Sequence, residues 1–577
     1  MNVLGISAFV HDSSVCLIRD GEIIFSVEEE RFNRIKHTSV FPTLALQYLV
    51  DNFGIKGEDI DVVATNWNPY ISLLEELKKA SLLNLYLKVH RYNKPPKSFG
   101  SIRKTFSTKS HLEAFFGKKI RSKVCWVPHH LSHAASSLCL SGYQEADILV
   151  ADGHGEGAST TYYKYINRRY KKIWSLPISS SLGILYQNFT HYLGFGNYQE
   201  GTTMALAALG EKTFQSFFDE LITLHEDGKF RVKPISAGLW SYYEGGYVAN
   251  RLGPPRKAGD PITKRHKDIA ASLQEAVRNT IMHCIAKISE KSRSENLCLA
   301  GGVFLNCDIN GQIGAAGHYK NIFVPPFTSD TGGAIGAALY VDQKNRPVKT
   351  KEANELAASF SATPYNFTPY LGPGYSNQAI HAAILGRDLK YAYIPDVAIA
   401  AARDLADGAL IGWFQGRMEG GPRALGNRSI LASPLSAQTK DLLNAKKQRE
   451  DFRPFSPITT TRGAKKYFSF HDANYSPSLF MLATAEVKPE YATALTSVTH
   501  VDGSSRLQII TEQRNGLVYK LIIEFMKITG YEIILNTSFN QKEPIVCSPN
   551  EALDSFVKLG LDFLYIGNYK VWIEKTC

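Results

Sequence analysis

An α/β chain in two units is what the sequence predicts, with α+β left open for its first stretch. Three observations predict it. Short strand-like runs end in Gly-rich turns, one long segment has a single apolar helical face, and the texture changes near residue 345. The elements follow in order. Val3 to Ala8 and Val15 to Ile18 are apolar runs, Asp20-Gly21 is a two-residue hairpin signal, and Ile23 to Val27 continues as strand. Pro42 to Phe53 reads as an amphipathic helix and Asp61 to Thr65 as a strand. Asp147 to Ala151 reads as a buried strand ending in Asp152-Gly153. Lys267 to Ile288 carries Ile269, Leu273, Val277, Ile281, Cys284 and Ile288 at spacings of four and three, which places them on one helical face. Leu297 to Ala300 leads into Gly301-Gly302, and Ile322 to Val324 into Pro325-Pro326 and Ser329-Asp330-Thr331-Gly332-Gly333. The Pro/Gly stretch Thr363 to Ser376 is a linker or crossing segment. A second α/β unit then offers helix Val397 to Asp407, strand Ala409 to Phe414, strand Glu532 to Leu535 and helix Asn550 to Lys558. No internal repeat is visible in the sequence.

Composition excludes several classes. The chain has 577 residues, 44% hydrophobic and 21% charged, an ordinary globular mix with ample core. No run of 18 apolar residues predicts a membrane span, and no basic-then-apolar start predicts a signal peptide. The eight cysteines are scattered without a Cys-x-x-Cys pair, which fits reduced thiols in a cytoplasmic protein. The net charge is +11. Between Lys88 and Lys123 stand eleven Lys/Arg against one acid, Glu113, interleaved with Phe99, Phe106, Phe115 and Phe116. A solvated insertion is the plainer reading of such a run. Nucleic acid or attraction of anionic substrates are the others.

Five constellations carry candidate chemistry. In Val127-Pro128-His129-His130-Leu131-Ser132-His133, a helix starting at Pro128 puts His129 and His133 on one face, able to grip one divalent ion. Asp152 and Asp330 each follow a strand-like run and complete a set that suits Fe(II), Mn(II) or Zn(II). The Gly-rich turns at Gly153, Gly301-Gly302 and Gly332 let backbone N–H groups approach a phosphate, although any one of them is more simply a tight turn. Gly416 to Ser429 packs Arg417, Arg423 and Arg428 among four glycines, with Lys447, Arg449 and Arg453 close behind, a candidate polyanion cradle. His500, Asp502, Arg506, Asn536, Ser538 and Asn540 form a polar C-terminal set that suits a carbonyl or a ribose, or simply loop capping. His11-Asp12-Ser13-Ser14 lies in the turn between the first two strands and offers an acid/base group.

These motifs together resemble the NodU/CmcH/TobZ family of O-carbamoyltransferases along nearly the whole chain. The resemblance rests on Gly5-Ile6-Ser7 with His11-Asp12-Ser13, on Glu28-Glu29-Glu30-Arg31-Phe32, and on Pro128 to Ala134. It continues through Asp152-Gly153, Glu200-Gly201 with Met204 to Ala207, Gly301-Gly302-Val303 with Leu305-Asn306, and Ser329-Asp330. In the second unit it rests on Gly421 to Ser429, Arg449-Glu450 with Phe452 to Phe455, His500 to Gly503, and Asn536 to Asn540. Gly420 departs from it, standing where a bulky residue is expected.

The resemblance implies an N-terminal actin-like (ASKHA) two-lobed domain, placed at 1–355, a linker at 356–378, and a C-terminal YrdC-like α/β domain at 379–577. It implies that ATP, with Mg(II), and carbamoyl phosphate form carbamoyl-adenylate in the C-terminal domain. The carbamoyl group then passes to a hydroxyl of a small-molecule acceptor in the N-terminal one. His129, His133, Asp152 and Asp330 would hold a metal, iron first. His11 matches the family's catalytic histidine, with Asp12 and His130 beside it. Gly153, Gly201, Gly301, Gly302, Asn306 and Gly332 would serve an N-terminal nucleotide cleft. Arg417, Arg423, Arg428, Lys447, Arg449, Arg453, His500, Asp502, Arg506, Asn536, Ser538 and Asn540 would serve the C-terminal site. A homodimer is compatible; nucleic acid and membrane are not expected as partners. The rival of another class is a tRNA-binding or tRNA-modifying protein. A sugar-kinase-like enzyme is a third reading, in which the C-terminal Arg/Gly unit has no place.

Overall fold

A computed structural model describes residues 1–75, 77, 99–233, 246–346 and 367–574. Residues 88–98 of the basic segment and 356–366 of the expected linker lie outside them. The opening hairpin is as expected. β1 (Asn2–Ser7) and β2 (Ser14–Arg19) are joined to β3 (Glu22–Glu28) through Asp20-Gly21, both at positive φ (48° and 88°). That geometry matches the twist of a two-residue turn to its strands.

β4 (Val62–Thr65) and β5 (Lys123–Trp126) complete a sheet of order β3-β2-β1-β4-β5. β1, β2 and β3 are antiparallel, and β4 and β5 join β1 in parallel. A second sheet repeats this plan. β6 (Ala146–Ala151), β7 (Ala158–Ile166) and β8 (Arg169–Pro177) form the antiparallel meander. A small ribbon, β9 (Ile222–Leu224) with β10 (Phe230–Val232), is inserted next. Then β11 (Asn296–Ala300) and β12 (Asn321–Phe323) pair in parallel with β6 to give the order β12-β11-β6-β7-β8. The N-terminal part is therefore duplicated in topology, although its sequence shows no repeat. These are the two lobes that an actin-like plan calls for.

Each lobe sends a helix from its last parallel strand toward the other lobe. His129–Ser141 follows β5 and Gly333–Asn345 follows β12, and the two helices pack together. Their backbones approach so closely that a Cβ at Gly336 would overlap the Ser132 carbonyl oxygen. The long helix Lys264–Ser289 packs against helices Leu182–Tyr192, Glu200–Ala207 and Gln215–Leu221 with Ile269, Leu273, Val277, Ile281, Cys284 and Ile288 all buried, as its periodicity requires.

The C-terminal unit is built on one ten-stranded sheet, β13 (Lys390–Tyr393), β14 (Ile411–Phe414), β15 (Arg428–Ala432), β16 (Ser456–Thr460), β17 (Phe468–Ser469), β18 (Ala483–Val487), β19 (Ser504–Ile510), β20 (Ile533–Ser538), β21 (Phe563–Ile566) and β22 (Tyr569–Trp572). Its order is β13-β22-β21-β14-β15-β20-β16-β19-β18-β17. Two expectations are corrected here. β20 runs three residues beyond Leu535, because partners on both sides, β15 and β16, hold Asn536 in the ladder. The last element expected from the sequence, helix Asn550 to Lys558 (Pro549–Leu559 here), is followed by two more strands, β21 beside β14 and β22 beside β13.

The units are locked together. Arg31 and Glu28 are both buried; Arg31 Nη2 donates to Gly421 O (2.8 Å) while the Gly421 N–H donates to Glu28 Oε1 (2.6 Å). Arg34 donates to the Pro544 and Ile545 carbonyls and pairs with Glu551. The missing side chain at Gly420 is explained by Phe327, whose ring occupies the space a Cβ would need. Helix Cys307–Ala315 presents Gly311 and Gly314 to Thr484 and Asn474, and Asn474 Nδ2 donates to Gly311 O (2.8 Å).

The helix crossing is the most exacting contact, and it yields the first prediction. Gly336→Ala must force the helices apart, at a cost of about 1–3 kcal/mol in denaturant unfolding. Because His133 lies one residue from the crossing, the same variant is expected to lose metal affinity by titration.

Candidate active site and nucleotide chamber

All the parallel strands of both lobes end at one cleft. Beyond β1 come His11 and Asp12; beyond β4, Asn66 and Trp67; beyond β5, His129 and His133. Beyond β6 comes Asp152; beyond β11, Gly301 and Gly302; beyond β12, Asp330. Strand carboxyl ends are where open α/β sheets gather their sites. His129 and His133 face the same way because they occupy successive turns of one helix, whose start is held by Glu156. That carboxylate accepts from the backbone N–H groups of Asn68 (2.7 Å) and His129 (2.9 Å).

Four ligand atoms converge. His129 Nε2 lies 3.1 Å from Asp152 Oδ2, 3.3 Å from Asp330 Oδ1 and 3.1 Å from His133 Nε2. His133 Nε2 lies 3.4 Å from Asp152 Oδ2 and 3.3 Å from Asp330 Oδ1. Tetrahedral ligand distances of about 2.0–2.1 Å have edges of roughly 3.3 Å, so these spacings fit one ion at the centre. All four residues are buried. Two carboxylates away from water need a compensating positive charge, and the Nδ1 atoms of both histidines have no partner among the described residues. Burial opposes every charge in the cluster, but the opposite charges outweigh it. His129 and His133 are held above the usual imidazole range, and Asp152 and Asp330 below the usual carboxylate range. The Gly302 N–H donates to Asp152 Oδ1 (3.0 Å), and Trp67 stacks on His129 with centroids 4.4 Å apart.

Catalytic candidates surround the cluster. His11 Nε2 stands 3.5 Å from Asp330 Oδ2, and its Nδ1 meets Asp12 Oδ2 at 3.2 Å. Burial opposes its charge, but Asp330 and Asp12 outweigh it and push its pKa up to about 9. His130 is turned away, with Nδ1 on Thr161 Oγ1 (2.7 Å). Burial and the neighbouring His129 push its pKa down to about 3, leaving it neutral.

A cavity of about 380 Å³ opens between the two units. Arg423, Arg449, Arg453, Arg506, His500, Asp502 and Ser538 line it from the C-terminal side. Gly201, Met204, Lys212, Gln274, Arg278, Cys307 and Asp308 line it from the N-terminal side. Arg449 is braced on Phe455, its guanidinium 4.1 Å from the ring centroid, and donates to Asn444 Oδ1 (2.6 Å). Among the described residues, the Arg453 guanidinium has Glu450 as its ion-pair partner, at 3.9 Å. Burial and repulsion by Arg506 push Arg423 down to about 9. The His500 Nε2 atom is buried without a partner among the described residues. Six cations, Lys212, Arg278, Arg423, Arg449, Arg453 and Arg506, share this wall with two carboxylates, Asp308 and Asp502, an excess of positive charge that suits an anion.

Other expected cradle residues lie elsewhere. Arg428 is fully buried over Phe414 and donates to the carbonyls of Gln415, Asn427, Pro373 and Gly416. Arg417 grips the carbonyls of Gly372, Ile24 and Leu371. Lys447 Nζ donates to Ser538 O and Asn540 O, both at 2.6 Å. Asn536 bonds Ala424 O and Gln508, and Asn540 bonds Lys447 and Glu543. These side chains build the loops behind the chamber and do not line it. Of the six N-terminal glycine and asparagine candidates, Gly201 alone reaches the chamber. Gly153, Gly301 and Gly302 ring the His/Asp cluster. Gly332 packs against the Phe327 carbonyl, and Asn306 caps helix Cys307–Ala315 through the Ile309 N–H.

Sequence reasoning missed Trp67, Glu156, Lys212, Gln274 and Arg278, which are isolated in the chain and carry no motif. The basic segment also reads differently in three dimensions. Leu112 is buried, Phe115 and Phe116 pack beside it against the first sheet, and Lys118 pairs with Glu58.

Comparisons with known proteins agree with one another. The profile described as "Carbamoyltransferase N-terminus" matches residues 2–339, and "Carbamoyltransferase C-terminus" matches residues 402–574. The nodulation protein NolNO of Sinorhizobium fredii is 36% identical, over 98% of this chain and 79% of the relative. An uncharacterised Synechocystis protein is 34% identical over 98% and 96%. The nodulation protein NolO of Bradyrhizobium diazoefficiens is 34% identical over 77% and 78%.

The four-ligand cluster makes the second prediction. Protein stripped by a chelator should take up one divalent ion per chain, whereas His133→Ala should bind at least ~100-fold more weakly. Stoichiometric, tight metal in that variant, measured by elemental analysis and competition titration, would remove the cluster from consideration.

Proposed function

The chain belongs to the carbamoyltransferase family, and from that premise we propose an ATP- and carbamoyl phosphate-dependent O-carbamoyltransferase acting on a small-molecule hydroxyl. The observation that carries the reading is the convergence of Arg423, Arg449, Arg453 and Arg506 on one chamber walled by both units. Both co-substrates are polyanions, and guanidinium forks suit their oxygens. Atom balance defines the first half. Water cleaves carbamoyl phosphate to carbamate and phosphate. A carbamate oxygen then attacks the α-phosphorus of ATP, pyrophosphate leaves, and carbamoyl-adenylate remains. The arginines hold the phosphates and oppose the charge that develops as pyrophosphate departs.

Transfer belongs to the His/Asp cleft. His129, His133, Asp152 and Asp330 would hold a divalent ion, iron first among the candidates, that polarises the carbamoyl oxygen as a Lewis acid. His11 takes the proton of the acceptor hydroxyl, whose oxygen bonds to the carbamoyl carbon while AMP leaves. With Asp152 and Asp330 engaged in holding such an ion, the pull of Asp330 on the His11 proton would weaken, leaving Asp12 as its partner. Asp12 orients the imidazole through Nδ1. Two short stretches support a protected route between the sites. Residues 198–201 run from beside His11 to the chamber wall, and 301–308 run from Asp152 to it. A mixed anhydride hydrolyses readily, so a route closed to bulk water preserves it.

The whole reaction is tested first. ATP should disappear only when carbamoyl phosphate is present, with AMP accumulating during transfer; strong turnover to ADP without carbamoyl phosphate would mark a kinase instead. The halves should then separate by mutation. Arg453→Ala should lower carbamoyl-adenylate formation by about 10- to 150-fold, the equivalent of a lost charge-assisted contact of ~1.5–3 kcal/mol. His11→Ala should still form it, seen by mass spectrometry as pyrophosphate is released, yet fail to carbamoylate a hydroxyl. The reverse pattern would exchange the roles of the two sites.

A further inference from the structure

We infer that Tyr198, backed by His37, is the surface on which the hydroxyl acceptor lies; the assignment rests on the carbamoyl transfer proposed above. Tyr198 is 44% exposed, yet it is not a loose surface ring. It stacks on His37 with centroids 3.7 Å apart and planes 20° from parallel, and its centroid lies 5.7 Å from that of His11. His37 is fixed in turn. Its Nδ1 meets Asp12 Oδ1 at 2.7 Å, and its backbone N–H donates to Glu30 (2.8 Å). Asp12 thus bridges two imidazoles, and the line Asp330–His11–Asp12–His37–Tyr198 leads outward from the cluster.

The backbone sets this group apart. Phe9, Asp12, His37 and Tyr198 all have left-handed φ angles, 70°, 60°, 54° and 61°. Side-chain-bearing residues adopt that region at a cost, and such strain gathers at functional sites. Three of these, Asp12, His37 and Tyr198, touch in sequence along that line. They hold a flat apolar surface beside the proton acceptor.

The placement is also right for two substrates that approach from opposite sides. Gly201, three residues after Tyr198, lines the arginine chamber, while the side chains of His11 and His37 are 28% and 30% exposed. Carbamoyl-adenylate comes from the chamber side and the acceptor from solvent across Tyr198. An aromatic plane backed by a second ring suits the flat face of a ring-bearing acceptor, and it does little for an open chain.

The test uses methyl glucoside as ring probe and 1,3-propanediol as open-chain probe, each with ATP and carbamoyl phosphate, the carbamate ester being measured by mass spectrometry. Wild type should show the lower KM for the glucoside. Tyr198→Ala should raise that KM about tenfold with kcat within about twofold, and Tyr198→Phe should restore it. An unchanged KM in Tyr198→Ala, or a loss of kcat alone, overturns the assignment. So does a wild type that makes AMP but prefers propanediol or carbamoylates neither probe. A wild type that makes no AMP from ATP and carbamoyl phosphate overturns the parent reading instead.

Discussion

Two carboxylates, Asp152 and Asp330, are held beside each other out of water, and the architecture of the cleft follows from making that tolerable. An ionised carboxylate loses several kcal/mol of solvation on burial unless it is matched. The match comes from imidazole nitrogens on one helix, from the Gly302 N–H, and from His11 on the open side. Each partner must arrive from a different strand end, so both sheets have to present the same edge to one point. The close passage of the two helices at Ser132 and Gly336 is the geometric condition for this. A side chain at that crossing would move the histidines off the carboxylates.

The second cleft obeys different electrostatics. Around Asp330 the carboxylates are matched by imidazoles, whereas the wall of the chamber between the units carries more cations than carboxylates. In the proposed reaction these two sites, a few residues apart along 198–201 and 301–308, divide the labour between gripping phosphates and receiving a hydroxyl. What holds them in register is the buried Glu28–Arg31 pair. It grips Gly421, two residues before Arg423, while Glu30 from the same short segment holds His37. The motif Glu28 to Phe32 is thus a brace between the chamber and the His/Asp cleft.

Much of this was legible in the sequence where a single periodicity or a single spacing decides. The four-residue interval between His129 and His133, the apolar face of Lys264–Ser289 and the Asp20-Gly21 turn are local facts, and local physics settles them. The duplicated sheets were invisible because a topology is an order of strand pairing, which unrelated side chains can satisfy equally well. The arginines show the same limit. Nothing along the chain distinguishes Arg428, buried on four carbonyls, from Arg453, turned toward the chamber. Their difference lies in which backbone oxygens come within reach after folding. Lys212, from the loop before helix Gln215–Leu221, and Arg278, from helix Lys264–Ser289, reach the chamber and leave no trace in any motif.

The candidate ligand set is divided evenly, with His129 and His133 from the first lobe and Asp152 and Asp330 from the second. An ion gripped from both sides is a rivet through a hinge. The angle between lobes would then depend on ionic radius, since each ligand distance is a constraint across the joint. Exchanging one divalent ion for a larger one would pry the lobes apart by a small angle. The lever arm runs through the brace to the arginine chamber, so the choice of metal would also tune how tightly that chamber closes.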